Sequence, residues 1–224
     1  MASTSKGNCY LCGAELGKTA MKNHIMKLHD MRDEATGQEC CLLKIEGADD
    51  KEYWLYVDIP IRSTLNVLDT FLRKIWLECC GHMSAFSGSG HREIGKSRKL
   101  DSFSPGDKLL HEYDFGSTTE TLITVVGRTF RKQQKEAVCV LARNVPPVFR
   151  CAKCGAEAEW ILPERFYESE NPFYCNKCLE EEAAEEVMVL PVTNSPRMGV
   201  CGYEGDQDTY IFISPKTVPG RNSK

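Results

Sequence analysis

The sequence predicts an α+β protein: a mixed sheet with a packed helix, flanked by an N-terminal Cys2His2 zinc finger and a C-terminal zinc ribbon. Three observations predict this architecture. Cysteine and histidine residues recur at metal-ligand spacings near both ends of the chain. Between them, residues 63–79 repeat apolar side chains at three- and four-residue steps, which is typical of a helix packed on one face. Runs rich in β-branched and aromatic residues precede and follow that helix.

The composition is that of a soluble globular protein. The 224 residues are 42% hydrophobic and 27% charged, and no run approaches the roughly 18 apolar residues of a membrane helix. The first seven residues lack the apolar segment of a secretory signal. We therefore expect a cytoplasmic protein with no membrane partner. Disulfides rarely persist in the cytoplasm, so the 12 cysteines require another explanation.

Residues 1–32 predict the zinc finger. Two cysteines with two residues between them are followed by two histidines on a helix, which is close to Cys2His2 spacing. The predicted ligands are Cys9, Cys12, His24 and His29. A coincidental cysteine pair before an amphipathic helix is the alternative interpretation. Specific DNA reading is not favoured, because a single finger covers only about three base pairs and only Asn23 is suited to a base edge.

Residues 40–145 predict the main α+β domain. Runs 40–45 and 53–59 form a hairpin, and the long helix begins at Ser63 or Thr64, whose hydroxyl suits an N-cap. Leu65, Leu68, Leu72 and Ile75 form its apolar stripe. Residues 87–107 are rich in glycine, serine and lysine and predict an exposed loop. Strands are expected at 108–115, 121–126 and 137–142.

Residues 148–190 predict the zinc ribbon. Paired Cys-x-x-Cys motifs separated by 20 residues supply four thiolates, whereas a redox dithiol normally needs one such motif. The predicted ligands are Cys151, Cys154, Cys175 and Cys178. Residues 151–190 contain ten glutamates against three basic residues, so this surface repels phosphate and favours docking to another protein. Residues 191–224 are expected to pack on the main domain and to end in disorder.

Other groups leave alternatives open. Cys79, Cys80 and His82 are candidates for a third metal site or a reactive thiol, with His91 or His111 folded nearby. Against this, adjacent cysteines on a helix point apart. Basic residues in the finger and in two loops are candidates for nucleic-acid contact: Lys18, Lys22, Arg92, Lys96, Arg98, Lys99, Arg128, Arg131 and Lys132.

The main domain resembles the plasmid pRiA4b ORF-3-like family. The resemblance rests on segments 55–60, 64–72 and 112–120; segments 79–86 and 194–203 are similar to a zinc-bearing microbial branch. It covers residues 42–145 and, in that branch, most of the remaining chain. The resemblance implies an α+β fold and supplies neither an established reaction nor a catalytic residue set. General members have no zinc units, so the finger and ribbon imply a role peculiar to this branch.

These observations predict a non-enzymatic protein that binds two Zn²⁺ ions per chain. We expect it to be an interaction module or an accessory factor in nucleic-acid transactions. Its partner is either nucleic acid, through the basic loops, or another protein, through the acidic ribbon. The alternative is a thiol or metal-assisted enzyme centred on Cys79, Cys80 and His82.

Overall fold

A nine-stranded sheet is the largest element of the fold. We describe the protein from a computed structural model, which covers residues 5–29, 37–131, 136–166, 170–182 and 187–205. The strands of the sheet are β1 (Lys6–Cys9), β2 (Glu15–Gly17), β3 (Gln38–Gly47), β4 (Trp54–Pro60), β5 (Ser84–Ser87), β6 (Glu93–Ile94), β7 (Lys108–Tyr113), β8 (Thr119–Arg131) and β9 (Cys139–Asn144). The helices in these ranges are α1 (Lys18–Leu28), α2 (Leu65–Leu72) and α3 (Asn176–Glu182).

The strands are ordered β2-β1-β9-β4-β3-β8-β7-β5-β6. This confirms the α+β class, but the neighbouring strands pair antiparallel wherever the described ranges pair, whereas a mixed sheet was expected. A mixed sheet requires a parallel pair, which the connection through α2 would form only if it joined two neighbouring strands that run in the same direction. Instead β4 and β5 run in the same direction with three strands between them, so the crossover creates no parallel pair.

Helix α2 packs on one face of the sheet. The four side chains of the predicted stripe are fully buried, and they join Val57, Ile123 and Val125 in one core. The helix begins after Thr64, although the Thr64 hydroxyl makes no capping hydrogen bond. It is also shorter than expected. After Leu72 the chain makes a π-helical turn over Arg73–Leu77, and Glu78 is already extended.

The N-terminal unit is part of the same sheet. Strand β1 pairs with β9, so the predicted finger extends the sheet instead of standing apart from it. Helix α1 lies on the face opposite α2, where Met21 and Ile25 are buried against Trp54 and Tyr56. Because successive strand residues point to opposite faces, β4 supplies Trp54 and Tyr56 to this core and Leu55, Val57 and Ile59 to the other.

The segment 87–107 is more ordered than a plain exposed loop. It contains β6 and a 3₁₀ turn over Leu100–Ser102. Leu100 and Phe103 are buried in the core beneath α2, and a β-bridge joins Thr64 to Lys99. The glycine, serine and lysine content predicted exposure correctly for Gly90 and Lys99, but it did not predict the burial of Leu100 and Phe103.

The predicted ribbon forms a small second sheet. Its strands are β10 (Trp160–Ile161), β11 (Phe173–Tyr174) and β12 (Leu190–Pro191), with β10 in the middle. After β12 the chain returns to the main sheet. Asn194 exchanges hydrogen bonds with Asn144 of β9, and the hydroxyl of Ser195 donates to the backbone carbonyl of Trp76 at 2.6 Å. Disorder was expected at the end of this tail, and residues 206–224 lie outside the described residues.

The helices provide no candidate for a membrane span. In the described part of the chain, none is long and apolar enough to cross a bilayer.

Candidate metal centres

The first candidate centre lies at the edge of the sheet. Strand β1 ends at Cys9, and Gly13, at φ 80°, lets the chain turn back so that the Cys9 N–H donates to the Ala14 carbonyl at 2.8 Å. This turn brings Cys9 and Cys12 close to His24 and His29, which lie in and just after α1. The four ligand atoms lie within 4.8 Å of one another. The geometry therefore allows one metal ion to be held by all four side chains.

The two imidazoles of this centre converge through the same ring nitrogen. The Nε2 atoms of His24 and His29 are 3.0 Å apart, and the Cys12 Sγ is 3.2 Å from the His24 Nε2. Burial and the nearby His24 and Arg131 lower the pKa of His29, which favours the neutral, metal-binding form. Arg131 also donates to the His29 carbonyl and pairs with Asp58, so it ties the end of α1 to the sheet.

The second candidate centre lies in the ribbon. The sulfur atoms of Cys151, Cys154, Cys175 and Cys178 lie within 4.8 Å of one another, with 3.7 Å between Cys154 and Cys175. Gly155, at φ 72°, closes the first turn, and its N–H donates to the Cys151 carbonyl at 3.0 Å. Burial acts to raise the pKa of Cys151, but backbone N–H groups of Cys154, Cys175 and Lys153 outweigh it and lower that pKa to about 6. Cys151 therefore favours the thiolate that a metal requires, whereas the hydrogen bond with the Cys154 thiol raises the pKa of Cys178 to about 12 in the absence of a metal.

A third cluster brings together Cys79, Cys80, His82 and Cys201, whose ligand atoms also lie within 4.8 Å of one another. Cys79 and Cys80 do not lie on a helix, because the helical turn ends at Leu77, so the expectation that their side chains point apart is wrong. Gly81 then adopts φ 75°, and both sulfurs reach the same cluster. Neither His91 nor His111 belongs to it; Cys201 supplies the fourth ligand atom.

Cys201 is the residue that sequence reasoning missed. It is 119 residues from His82, and no local spacing motif connects positions so far apart. One signal was present in the sequence: the Cys-Cys-Gly-His segment carries three potential ligands and lacks a fourth. A lone cysteine in the C-terminal segment completes the tetrahedral number.

His111 has a different environment. It is fully buried, and its Nε2 lies 2.8 Å from the Asp69 carboxylate in a network with Ser84 and Lys96. His91 is exposed in the loop after β5. These two histidines therefore offer nothing to the third cluster.

Several basic residues singled out for nucleic-acid contact are engaged within the protein. Lys18 pairs with Glu46 at 2.5 Å, Lys96 with Asp69 at 3.0 Å, and Arg131 is buried against Asp58. Arg128 donates to the Phe103 carbonyl at 2.7 Å. The exposed remainder is Lys22, Arg92, Arg98 and Lys99, and Lys132 lies outside the described residues.

Fold and clusters together define an α+β protein whose described residues include three cysteine- and histidine-rich clusters, each able to hold a metal ion. No family model matches the chain, and no curated protein matches it. Among solved structures, it is similar to a protein of unknown function from Methanosarcina mazei Go1, at 16% identity and a TM-score of 0.42. That similarity covers 47% of this chain and 69% of the other, and it is too distant to carry a functional argument.

Proposed function

We propose that this protein is a non-enzymatic, zinc-binding interaction protein, with one Zn²⁺ in the N-terminal unit and one in the ribbon. The observation that carries the proposal is the convergence of two complete ligand sets, each within 4.8 Å. One set has two cysteines and two histidines, and the other has four cysteines. Four protein ligands and no open position are typical of structural zinc, whereas catalytic zinc keeps one position for water or substrate.

The spacing of the ligand atoms supports zinc. Zn–S and Zn–N bond lengths imply tetrahedral edges of about 3.8 Å between two sulfurs, about 3.5 Å between sulfur and nitrogen, and about 3.3 Å between two nitrogens. The corresponding separations are 3.7 Å for Cys154 to Cys175, 3.2 Å for Cys12 to His24 and 3.0 Å for His24 to His29. All are within a few tenths of an ångström of those edges, and all are too long for covalent bonds.

Zinc has a stabilising role in the ribbon because that unit has little core of its own. Its buried cluster comprises Cys151, Leu162, Tyr174 and Cys178, so two of its four members are ligands. A unit this small normally needs a metal or disulfides to remain folded. The ribbon is therefore best understood as a rigid, metal-held projection from the main sheet.

The surface of that projection is acidic. Its exposed carboxylates are Glu157, Glu159, Glu164, Glu170, Glu180 and Glu181. Few basic side chains oppose them, so a partner with a positively charged surface would be attracted and nucleic acid repelled. We propose a basic protein segment as the partner of this face.

An accessory role with nucleic acid is the second candidate. The exposed Arg92, Arg98 and Lys99 lie on one segment, and Lys22 lies on α1. Such side chains contact phosphate without reading sequence. The internal ion pairs of Lys18, Lys96 and Arg131 reduce the charge available for this role, so we place it second.

We also retain membership of the plasmid pRiA4b ORF-3-like family as a proposal. The three segments of this chain that resemble the family lie on β4, on α2 and at the turn between β7 and β8. The remaining alternative is a thiol or metal-assisted enzyme centred on Cys79, Cys80 and His82, for which the contacts of His82 with Cys201 and Asp114 would supply a nucleophile and an orienting carboxylate. A nucleophilic thiol has no need of two further sulfurs beside it, so we do not favour that alternative.

Metal analysis tests the zinc proposal. We expect Cys12→Ser and Cys175→Ser each to lose one zinc per chain, while the matched variant Cys139→Ser, which lies outside the three clusters, keeps the wild-type content. Folded wild-type protein without zinc would overturn the proposal.

Binding assays test the partner. A lysine- and arginine-rich peptide should bind the wild type, and charge reversal at Glu180 and Glu181 should abolish binding, whereas reversal at exposed Glu52 should not. A low-salt mobility shift with DNA and RNA, in the absence of peptide binding, would instead favour the nucleic-acid role.

A further inference from the structure

The ligand atoms of Cys79, Cys80, His82 and Cys201 lie within 4.8 Å of one another, as do those of the two centres that the sequence predicts. The Sγ atoms of Cys80 and Cys201 are 3.7 Å apart, which equals the Cys154–Cys175 separation in the ribbon. The Cys201 Sγ lies 3.6 Å from the His82 Nε2. These distances match the edges of a zinc tetrahedron, about 3.8 Å and about 3.5 Å.

The groups around the cluster suit a bound cation and its thiolates. Asp114 Oδ1 lies 3.6 Å from the Nδ1 of His82, on the side of the ring opposite Cys201. This separation is longer than a hydrogen bond, but a negative charge on this side favours the tautomer with its proton on Nδ1, which leaves Nε2 free to bind a metal. The imidazole is therefore oriented toward the sulfur atoms.

A buried guanidinium lies behind the sulfurs. Arg197 is fully buried, and its Nη2 donates to the Cys79 Sγ at 3.4 Å and to Asp114 at 2.7 Å. Three thiolates and one neutral imidazole around one Zn²⁺ carry a net charge of about −1. The charge of Arg197 is balanced by Asp114, so its contribution to the cluster is the charged hydrogen bond that it donates to the Cys79 sulfur, which stabilises a thiolate there.

We propose that Cys79, Cys80, His82 and Cys201 bind a third Zn²⁺, which fastens the C-terminal segment to the end of the main sheet. Cys201 is 121 residues from Cys80, so the ion joins parts of the chain that no short loop connects. The segment continues from the ribbon through β12, Ser195 and Arg197, so this ion also limits how the ribbon moves relative to the sheet.

A reactive thiol explains fewer of the contacts in this cluster than a metal site does. Cys201, His82 and Asp114 alone would suit a nucleophile, a base and an orienting carboxylate. That mechanism gives no reason for the sulfurs of Cys79 and Cys80 to lie within 4.8 Å of the same imidazole. With four protein ligands and no open position, the third ion is structural.

Zinc counting with single-ligand variants tests the inference. Protein purified anaerobically and saturated with zinc should hold one ion for each of the three clusters. Cys201→Ser should lose one equivalent and keep two, whereas the control Cys139→Ser should keep all three. If Cys12→Ser and Cys175→Ser lose zinc but Cys201→Ser does not, this inference is overturned and the proposed function stands.

Thiol protection gives a readout that does not depend on a variant folding. In zinc-loaded wild-type protein, Cys79, Cys80 and Cys201 should resist alkylation together and become reactive together when a chelator removes the metal. Peptide mapping by mass spectrometry identifies the modified residues. A Cys80–Cys201 disulfide, or selective alkylation of Cys201 in the zinc-loaded protein, would overturn the third centre.

Discussion

Gly7 of β1 lies directly against the indole of Trp54 in β4. A Cβ built on Gly7 would be 2.4 Å from the Trp54 Cη2 and 2.4 Å from the Arg143 carbonyl oxygen. Real Cβ atoms do not approach other atoms so closely. The absence of a side chain at residue 7 therefore lets β1 reach β9, which positions the first metal centre on the sheet.

The substitution Gly7→Ala should destabilise the protein by about 1–3 kcal/mol, the usual cost of overpacking a well-filled core. The new methyl group would push β1 away from β9 and from the indole. Urea denaturation measures the loss. The control is Gly95→Ala, whose Cβ would meet only the Ser97 Oγ at 3.9 Å. Equal stability of the two variants would mean that β1 does not pack against Trp54.

The buried Asp69–His111 pair makes stability depend on pH. Burial lowers the pKa of His111; burial would raise that of Asp69, but hydrogen bonds from His111, Ser84 and Lys96 hold it well below its usual range. Both groups bind fewer protons in the folded state. The contribution of this pair to stability should therefore be complete above about pH 6.5. As pH falls, stability should decrease first when His111 of the unfolded chain is protonated, and again below about pH 4 when Asp69 of the unfolded chain is protonated.

The variant Asp69→Asn tests this assignment. It should lose on the order of 2 kcal/mol at pH 7, because Arg73, Lys96 and His111 lose a charged acceptor. It should also flatten the fall in stability below about pH 4, since Asn does not titrate there. Denaturation at several pH values measures both effects. Exposed Asp49→Asn is the control, and a wild-type pH profile in Asp69→Asn would refute the assignment.

Removal of one ribbon ligand should unfold the ribbon alone. In Cys175→Ser, amides such as Cys151 and Ala158, whose hydrogen bonds lie within the ribbon, should lose protection from hydrogen exchange. Amides of β3 and β8 should stay protected because the main core contains none of the ribbon ligands. Cys139→Ser should leave both regions protected. Loss of protection throughout the sheet would mean that the ribbon is not an independent metal-dependent unit.

Local spacing predicted the parts of the fold that depend on neighbouring residues. Each Cys-x-x-Cys pair shares one turn, and His29 follows the last residue of α1 at φ −124°, where the chain leaves the helix and its imidazole can reach that of His24. Short-range geometry therefore brings the members of each pair together. The stripe of α2 is predictable for the same reason. The residue at which α2 ends was not predictable from the sequence, because the π-helical turn after Leu72 depends on packing of Ile75 and Trp76 against the sheet.

Long-range pairing accounts for what the sequence could not reveal. Nothing near Cys201 in the chain indicates that it meets His82, and nothing near Lys6–Cys9 indicates that this strand pairs with β9. Arg131 illustrates the same limit. In a run of basic residues it indicates phosphate contact, but the fold buries it against Asp58, where it serves as an internal ion pair.

Asp114→Asn should weaken zinc binding at the third centre by about 10- to 100-fold, which is the usual effect of mutating an outer group that orients a metal-ligating histidine. Asparagine tolerates the left-handed backbone of this position, at φ 64°, and can still accept the Gly116 N–H, so the turn is preserved. Competition with a chelator measures the affinity of each centre. Asp101→Asn, an exposed carboxylate distant in sequence from all proposed ligands, should bind as the wild type does. An unchanged affinity in Asp114→Asn would show that this carboxylate does not orient His82 toward a metal, since neutralising it would then have no effect on the proposed ligand.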